Sequence, residues 1–362
     1  MMKKKLTIIG LAVLTWLIYY LLPYNSSFVE RYYCQYIFKY VRIVFDHSFG
    51  LLPIPGIYIL FAILLFILIK YLIRFRAKLM QGASGKVILR NLFVDSITVI
   101  SALMITFYWL WGFNYKRISF HERNCFVPQT INEDWLFDEL KTVHTAMIHL
   151  RRKTDFSDSL PEDLESECRN ALIPALHACL YYPVGTVRVR RIKPKGSLLL
   201  WSTAGIYLPF VSEGHIDDGL HPITKPFTLT HEMTHGYGIT EESVCNFISF
   251  LACVNSESVY IQYSGWMGYF RYLLAACRRT DSDRYRTFLE IANLKILSDI
   301  QEIYDHHEKY PSILPKLRDL VYNRYLKSHG IKEGTINYSM MIRLAAKWQE
   351  HKGSYLLAEL ED

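Results

Sequence analysis

The segment TLTHEMTHGYGITEESVCNF, residues 228–247, holds the side chains of this sequence whose types and spacing could do chemistry together. His231 and His235 are one helical turn apart, so on a helix both imidazoles fall on one face and can reach the same ion. Glu232 between them is close enough to take a proton from a water that the ion activates. The ion expected is Zn²⁺, and the chemistry expected is hydrolysis of a peptide bond with Glu232 as general base.

A hydrolytic zinc centre needs a third protein ligand and an open fourth position. Pro226 suits the first turn of a helix, FTLTHEMTH contains no breaker, and Gly236 and Gly238 let the chain reverse. A second helix is expected from about Thr240, with Glu241 and Glu242 in its first turn, and either could return to the histidines. The spacing HExxHxxGxxE puts Glu241 where a related class of zinc peptidases has its third ligand. Glu242 stands four residues before Asn246, so one helical face would present a carboxylate and an amide together. Neighbours on a helix point about 100° apart, so the two glutamates do not readily serve one ion. The bland alternative is an acidic first turn that only complements the helix dipole.

Other candidates are weaker. In EGHIDDGLHP, His215 and His221 read as solvated loop residues, and Glu213, Asp217 and Asp218 as a polar loop able to bind a cation or a substrate amine. SLLLWSTAGIYLPF (197–210) is either an edge strand for an extended substrate or an ordinary buried strand. The seven cysteines, Cys34, Cys125, Cys168, Cys179, Cys245, Cys253 and Cys277, form no CxxC pair and are odd in number, so buried small residues are expected rather than a disulfide framework.

The elements that position these residues follow from composition and periodicity. A chain of 362 residues with 51% apolar content and a mean hydropathy of +0.09 is too apolar to be wholly water-soluble. Apolar runs at 6–22, 51–69 and 92–113 approach or exceed the roughly 20 residues that cross a bilayer. The first follows Lys3, Lys4 and Lys5 and is read as a retained span rather than a signal peptide, because it is long and no small-residue cleavage site follows. Of the net charge of +7, residues 1–113 carry +9, so nucleic acid is not an expected partner of the remainder. Lys3, Lys4, Lys5 and the cluster Arg74, Arg76, Lys78, Lys86 and Arg90 place the N-terminus and the second loop in the cytoplasm, which puts everything after the third span outside. Residues 26–46, aromatic and basic at helical spacing, are expected as an interfacial helix. Asp95, near the basic interface, is expected to snorkel or to pair with Arg90.

In the outer region, 114–362, helices are expected over 130–152 and 161–180, strands at TVRVRRI and SLLLWSTAGIYLPF, and helices again from Pro226, interrupted at Gly238, Thr280, Pro311 and Gly330. KPFTLTHEMTHGYGITEES is too polar to cross hydrocarbon, so the histidines belong to this water-exposed region and not to an intramembrane site. The fold class expected is three N-terminal transmembrane helices followed by a mainly helical α+β, zincin-like domain with a small sheet.

WGFNYKR after the third run, GIYLPFVSEGHID, KPFTLTHEMTHGYGITEESVCNF and VYNRYLKSHGIKEGTINYSMMIRLAAKW together give the chain a resemblance over nearly its whole length. It resembles the uncharacterised bacterial membrane proteins known as domain of unknown function 3810, which are similar to zinc metallopeptidases of the HExxH type. The family pattern has an acid-rich run ending in EANF, where this chain has Val244 and Cys245 before Asn246 and Phe247. Glu242 matches a family acid, and with Asn246 this favours Glu242 over Glu241 as third ligand. Tyr338 matches a tyrosine of the family's late stretch, opens a helix, and is the candidate for stabilising the developing oxyanion.

The metal set expected is therefore His231, His235 and Glu242, with Glu232 and Tyr338 catalytic, Zn²⁺ as cofactor, and a peptide or protein as substrate. The location expected is the bacterial cytoplasmic membrane, multi-pass, with the C-terminal domain facing the periplasm or exterior. The competing reading is a catalytically silent membrane scaffold whose metal ties two helices together, for which a closed four-ligand site would speak. A transport component is disfavoured, because three spans with one acid and no inverted repeat give no ion path.

Overall fold

Helices that are apolar on every side need an apolar surround, and three helices here have that character: α1 (Met2–Leu21), α3 (Gly56–Met80) and α4 (Gly85–Leu110), each long and apolar enough to cross a membrane. Between the first two lie a π-helical segment, Val29–Ile37, and α2 (Phe38–Asp46). The computed structural model describes residues 2–82, 84–126, 130–154, 160–316, 320, 324 and 338–357. The chain divides into two units, Met1–Ile118 with Leu208–Glu213, and Ser119–Tyr207 with Gly214–Asp362.

In the first unit α1 and α4 run side by side in the same direction. Trp109 Nε1 donates to Thr15 Oγ1 at 3.2 Å, and Lys5 pairs with Asp95. The partner of Asp95 is thus Lys5 and not Arg90, because α1 brings its basic start against the basic end of α4. Residues 26–46 form no single regular helix. The wide turn of Val29–Ile37 leads into α2, and one face is buried through charge: Glu30 takes both Arg117 Nη2 (3.0 Å) and Nε (3.1 Å), and Arg42 donates to Ser212 O (2.7 Å) and pairs with Asp46. Tyr32, Tyr36 and Tyr40 stay on the exposed face.

The second unit is helical around a small sheet. After the short α5 (Phe120–Arg123) come α6 (Glu133–Lys153) and α7 (Leu164–Ala178), then the strands β1 (Val189–Ile192), β2 (Gly205–Leu208) and β3 (Glu213–Asp217). Helices α8 (Lys225–Gly236), α9 (Glu242–Val254), α10 (Val259–Thr280), α11 (Ser282–Ile291) and α12 (Leu294–Glu308) follow, and α13 (Tyr338–Lys352) closes the described chain. Helix α9 is apolar nearly all round, with Phe247, Ile248, Phe250 and Leu251 wholly buried, and α7, α8 and α10 pack about it. The strand order is β1-β3-β2, with β1 parallel to β3 and Val189 opposite Gly214.

Two expectations about this sheet need correction. SLLLWSTAGIYLPF is not one strand: Leu199–Trp201 is a 3-10 turn, and only Gly205–Leu208 is extended. EGHID is no solvated loop but the central strand, with Glu213, His215 and Asp217 buried. Its polar side chains have structural work. Asp217 accepts hydrogen bonds from the backbone N–H groups of Gly196 (2.8 Å), Leu198 (2.6 Å), Leu199 (3.1 Å) and Gly219 (2.7 Å), which pins the turn ahead of β2 and leaves no carboxylate lone pair for a cation or substrate amine. None of the seven cysteines forms a disulfide, and six of them are buried.

Candidate metal centre

Pro226 in the first turn starts α8, and the helix ends at Gly236. Gly238, at φ +87°, takes the left-handed conformation that lets the chain turn back. Four residues later α9 begins, and its first residue, Glu242, faces the histidines. His231 Nε2 and His235 Nε2 are 3.1 Å apart, and Glu242 Oε2 is 3.2 Å from the first and 3.7 Å from the second. Ligands about 2.0–2.1 Å from a tetrahedral zinc lie about 3.3 Å from one another, so the three separations bracket the edge of such a tetrahedron.

The donor chemistry fits as well as the distances. His235 Nδ1 donates to Ile239 O at 2.8 Å, which fixes the tautomer and leaves the Nε2 lone pair for a ligand. Cys245 Sγ lies 3.4 Å from the same Nδ1 and donates to the same Ile239 carbonyl at 3.5 Å. His231 Nδ1 is buried with no hydrogen-bond partner among the described residues. Burial pushes the Glu242 carboxyl upward, but His235 and His231 outweigh it and hold that group well below the usual carboxylate range. Two imidazole nitrogens and a carboxylate oxygen converging within 4.8 Å of one another present lone pairs to a common point, which a cation stabilises. No fourth His, Cys, Asp or Glu joins the group among the described residues.

Glu241 points elsewhere. It is the residue before α9, and Phe120 N–H donates to its carboxylate at 3.5 Å. The Asn246 side chain makes no hydrogen bond among the described residues, and the ligand oriented by a neighbouring group is His235, through the Ile239 carbonyl. His215 lies wholly buried in β3, outside the cluster. His221 is also outside it, its Nδ1 accepting from Ile223 N–H at 3.3 Å. Tyr338 opens α13, and its side chain lies outside the described residues.

Glu232 is set beside the cluster by the sheet, which the sequence reading did not foresee. Gly205 of β2 is so close that a Cβ there would come within 2.6 Å of Glu232 Oε1, and one on Gly214 of β3 within 2.9 Å of Glu232 Cβ. The two glycines make a cradle that only hydrogen atoms can line. Glu232 is 5% exposed, and its Oε2 has no hydrogen-bond partner among the described residues. Burial lifts its carboxyl to about 7, against the pull of His231 and His235, which is the range in which a carboxylate serves best as a general base near neutral pH. Strand β2, which carries Gly205, is also an edge of the three-stranded sheet.

A Gly205→Ala variant is expected to bind zinc normally, because the substitution touches no ligand, yet to lose about 100-fold in kcat by displacing the Glu232 carboxylate. Parallel zinc determination and turnover measurement check this; an unchanged kcat would show that the cradle does not position Glu232.

A family model described as "Protein of unknown function (DUF3810)" matches residues 33–346. No curated protein and no solved structure matches the chain.

Proposed function

The chain belongs to this DUF3810 family, and from the geometry of the centre we propose that it is a membrane-anchored zinc metallopeptidase with a zincin-like catalytic domain. The observation that carries the reading is the juxtaposition of three donors at tetrahedral spacing with a buried, cradled Glu232. Zn²⁺ held by His231, His235 and Glu242 would supply a Lewis acid that polarises the scissile carbonyl and acidifies water. Glu232 takes the proton of the attacking water and passes it to the leaving amine. The open edge of β2 aligns an extended peptide by backbone hydrogen bonds. Tyr338, at the start of α13, is the residue proposed to steady the carbonyl oxygen as charge grows on it. A three-ligand set favours hydrolysis over the silent scaffold, because it leaves a coordination position for the reaction.

The test is cleavage of a peptide library by the purified full-length protein in detergent, with and without a zinc chelator. Cleavage that disappears with the chelator and returns with zinc supports the reading; an inert, zinc-loaded protein would leave the scaffold.

The proposed location is the bacterial cytoplasmic membrane with the second unit outside, from the distribution of basic residues between the spans. Alkaline phosphatase fused after Asp362 is expected to be active and a green fluorescent protein fusion dark. The opposite pattern reverses the orientation.

A further inference from the structure

The helical stripe that carries the metal ligands continues past His231. Thr228 and Thr224 precede it at steps of three and four residues on the same face, and both line a cavity of about 330 Å³ within the second unit. Ala204 lines it too, directly before Gly205, the residue pressed on the Glu232 carboxylate. The cavity therefore flanks the metal centre. At 1.5 Å per residue, Thr228 and Thr224 lie about 5 and 10 Å from His231 along the axis, a distance that one to three extended substrate residues cover.

Leu199, Leu220 and Ile303 give the cavity apolar walls, and Arg271 of α10 gives it a fixed positive charge. Among the described residues no carboxylate pairs with Arg271. Its guanidinium lies over the Tyr304 ring, 5.5 Å from the centroid, and its buried Nε has no hydrogen-bond partner. Two of the histidines that line it, His306 and His221, are engaged otherwise. His306 Nε2 donates to Gly219 O at 2.6 Å, and burial, with the neighbouring His306, pushes His221 down to about 4, so that it is neutral. A buried guanidinium donor without an acceptor is costly, and the fork of an arginine matches a carboxylate.

We propose that this cavity is a substrate subsite in which Arg271 binds a carboxylate, so that the peptides cut carry an acidic side chain, or their free C-terminus, within about three residues of the scissile bond. The assignment rests on the hydrolytic reading of the metal centre, and its test is arranged to be independent of turnover.

Full-length protein in detergent carrying Glu232→Gln is titrated with fluorescein-labelled alanine hexapeptides. Each peptide has one glutamate or one glutamine at a given position, and a free or amidated C-terminus. The best glutamate peptides are expected to bind at least about 10-fold tighter than their glutamine counterparts. A gain confined to free over amidated termini assigns the carboxylate to the chain end instead. Either preference is expected to vanish with Arg271→Gln and to return in part with Arg271→Lys, at unchanged zinc content. Equal binding of all peptide forms, or a carboxylate preference that survives Arg271→Gln, overturns the proposal. Hydrolysis of the same peptides by the wild-type chain is read separately, so a failure to cut counts against the peptidase reading alone.

Discussion

Glu232→Gln is expected to lower kcat by about 10²–10⁴-fold while the protein still binds one zinc ion, because the change removes the general base and keeps its shape. The ligand set does not include Glu232, and its side chain is held by packing, the carboxylate against Gly205 and Cβ against Gly214, rather than by hydrogen bonds at Oε2. Substrate affinity should therefore change little, and the loss should sit in kcat. A buried amide without an acceptor costs about 1–3 kcal/mol, so a fall in Tm of a few degrees is expected and does not itself signal misfolding. Wild-type turnover in this variant would show that Glu232 is not the base.

The second large effect is expected in metal binding. Glu242→Ala should weaken zinc binding by more than about 100-fold, since loss of a partner that only orients a ligand already costs about 10–100-fold. Glu241→Ala should leave zinc affinity nearly unchanged, while the lost contact with Phe120 N–H costs about 0.5–1 kcal/mol of stability. The two residues are neighbours at the mouth of α9, so the pair separates a ligand from a merely acidic helix start. A large loss confined to the Glu241 variant would reassign the ligand, and no loss in either would dissolve the three-ligand centre.

The parts of this site that lie close in sequence were the legible ones. A helix from Pro226 to Gly236, a glycine turn and a second helix could be read from breakers and periodicity, and they bring His231, His235 and Glu242 together because all three sit within two turns of that hairpin. The sheet was less legible. Its central strand, EGHID, carries Glu213, His215 and Asp217 where an apolar alternation would be expected, and Asp217 is spent on backbone N–H groups of the turn before β2. Without β3 in view, the cradle of Gly205 and Gly214 around Glu232 could not be foreseen; the first was visible only as a glycine interrupting an apolar run. The π-helical turn at Val29–Ile37 has no signal in periodicity that separates it from an ordinary helix. The flanking cavity draws Ala204, Thr228, Arg271 and Tyr304 from separate parts of the chain, and no local pattern announces such a convergence.

The most direct test of the central claim is zinc-edge X-ray absorption on the purified full-length protein, with metal content determined on the same sample. The account predicts one zinc per chain, bound by two imidazoles and one carboxylate with a fourth, exchangeable oxygen ligand at about 2.0–2.2 Å. Four protein ligands with no exchangeable position, or a fully folded protein that takes up no zinc, would contradict it.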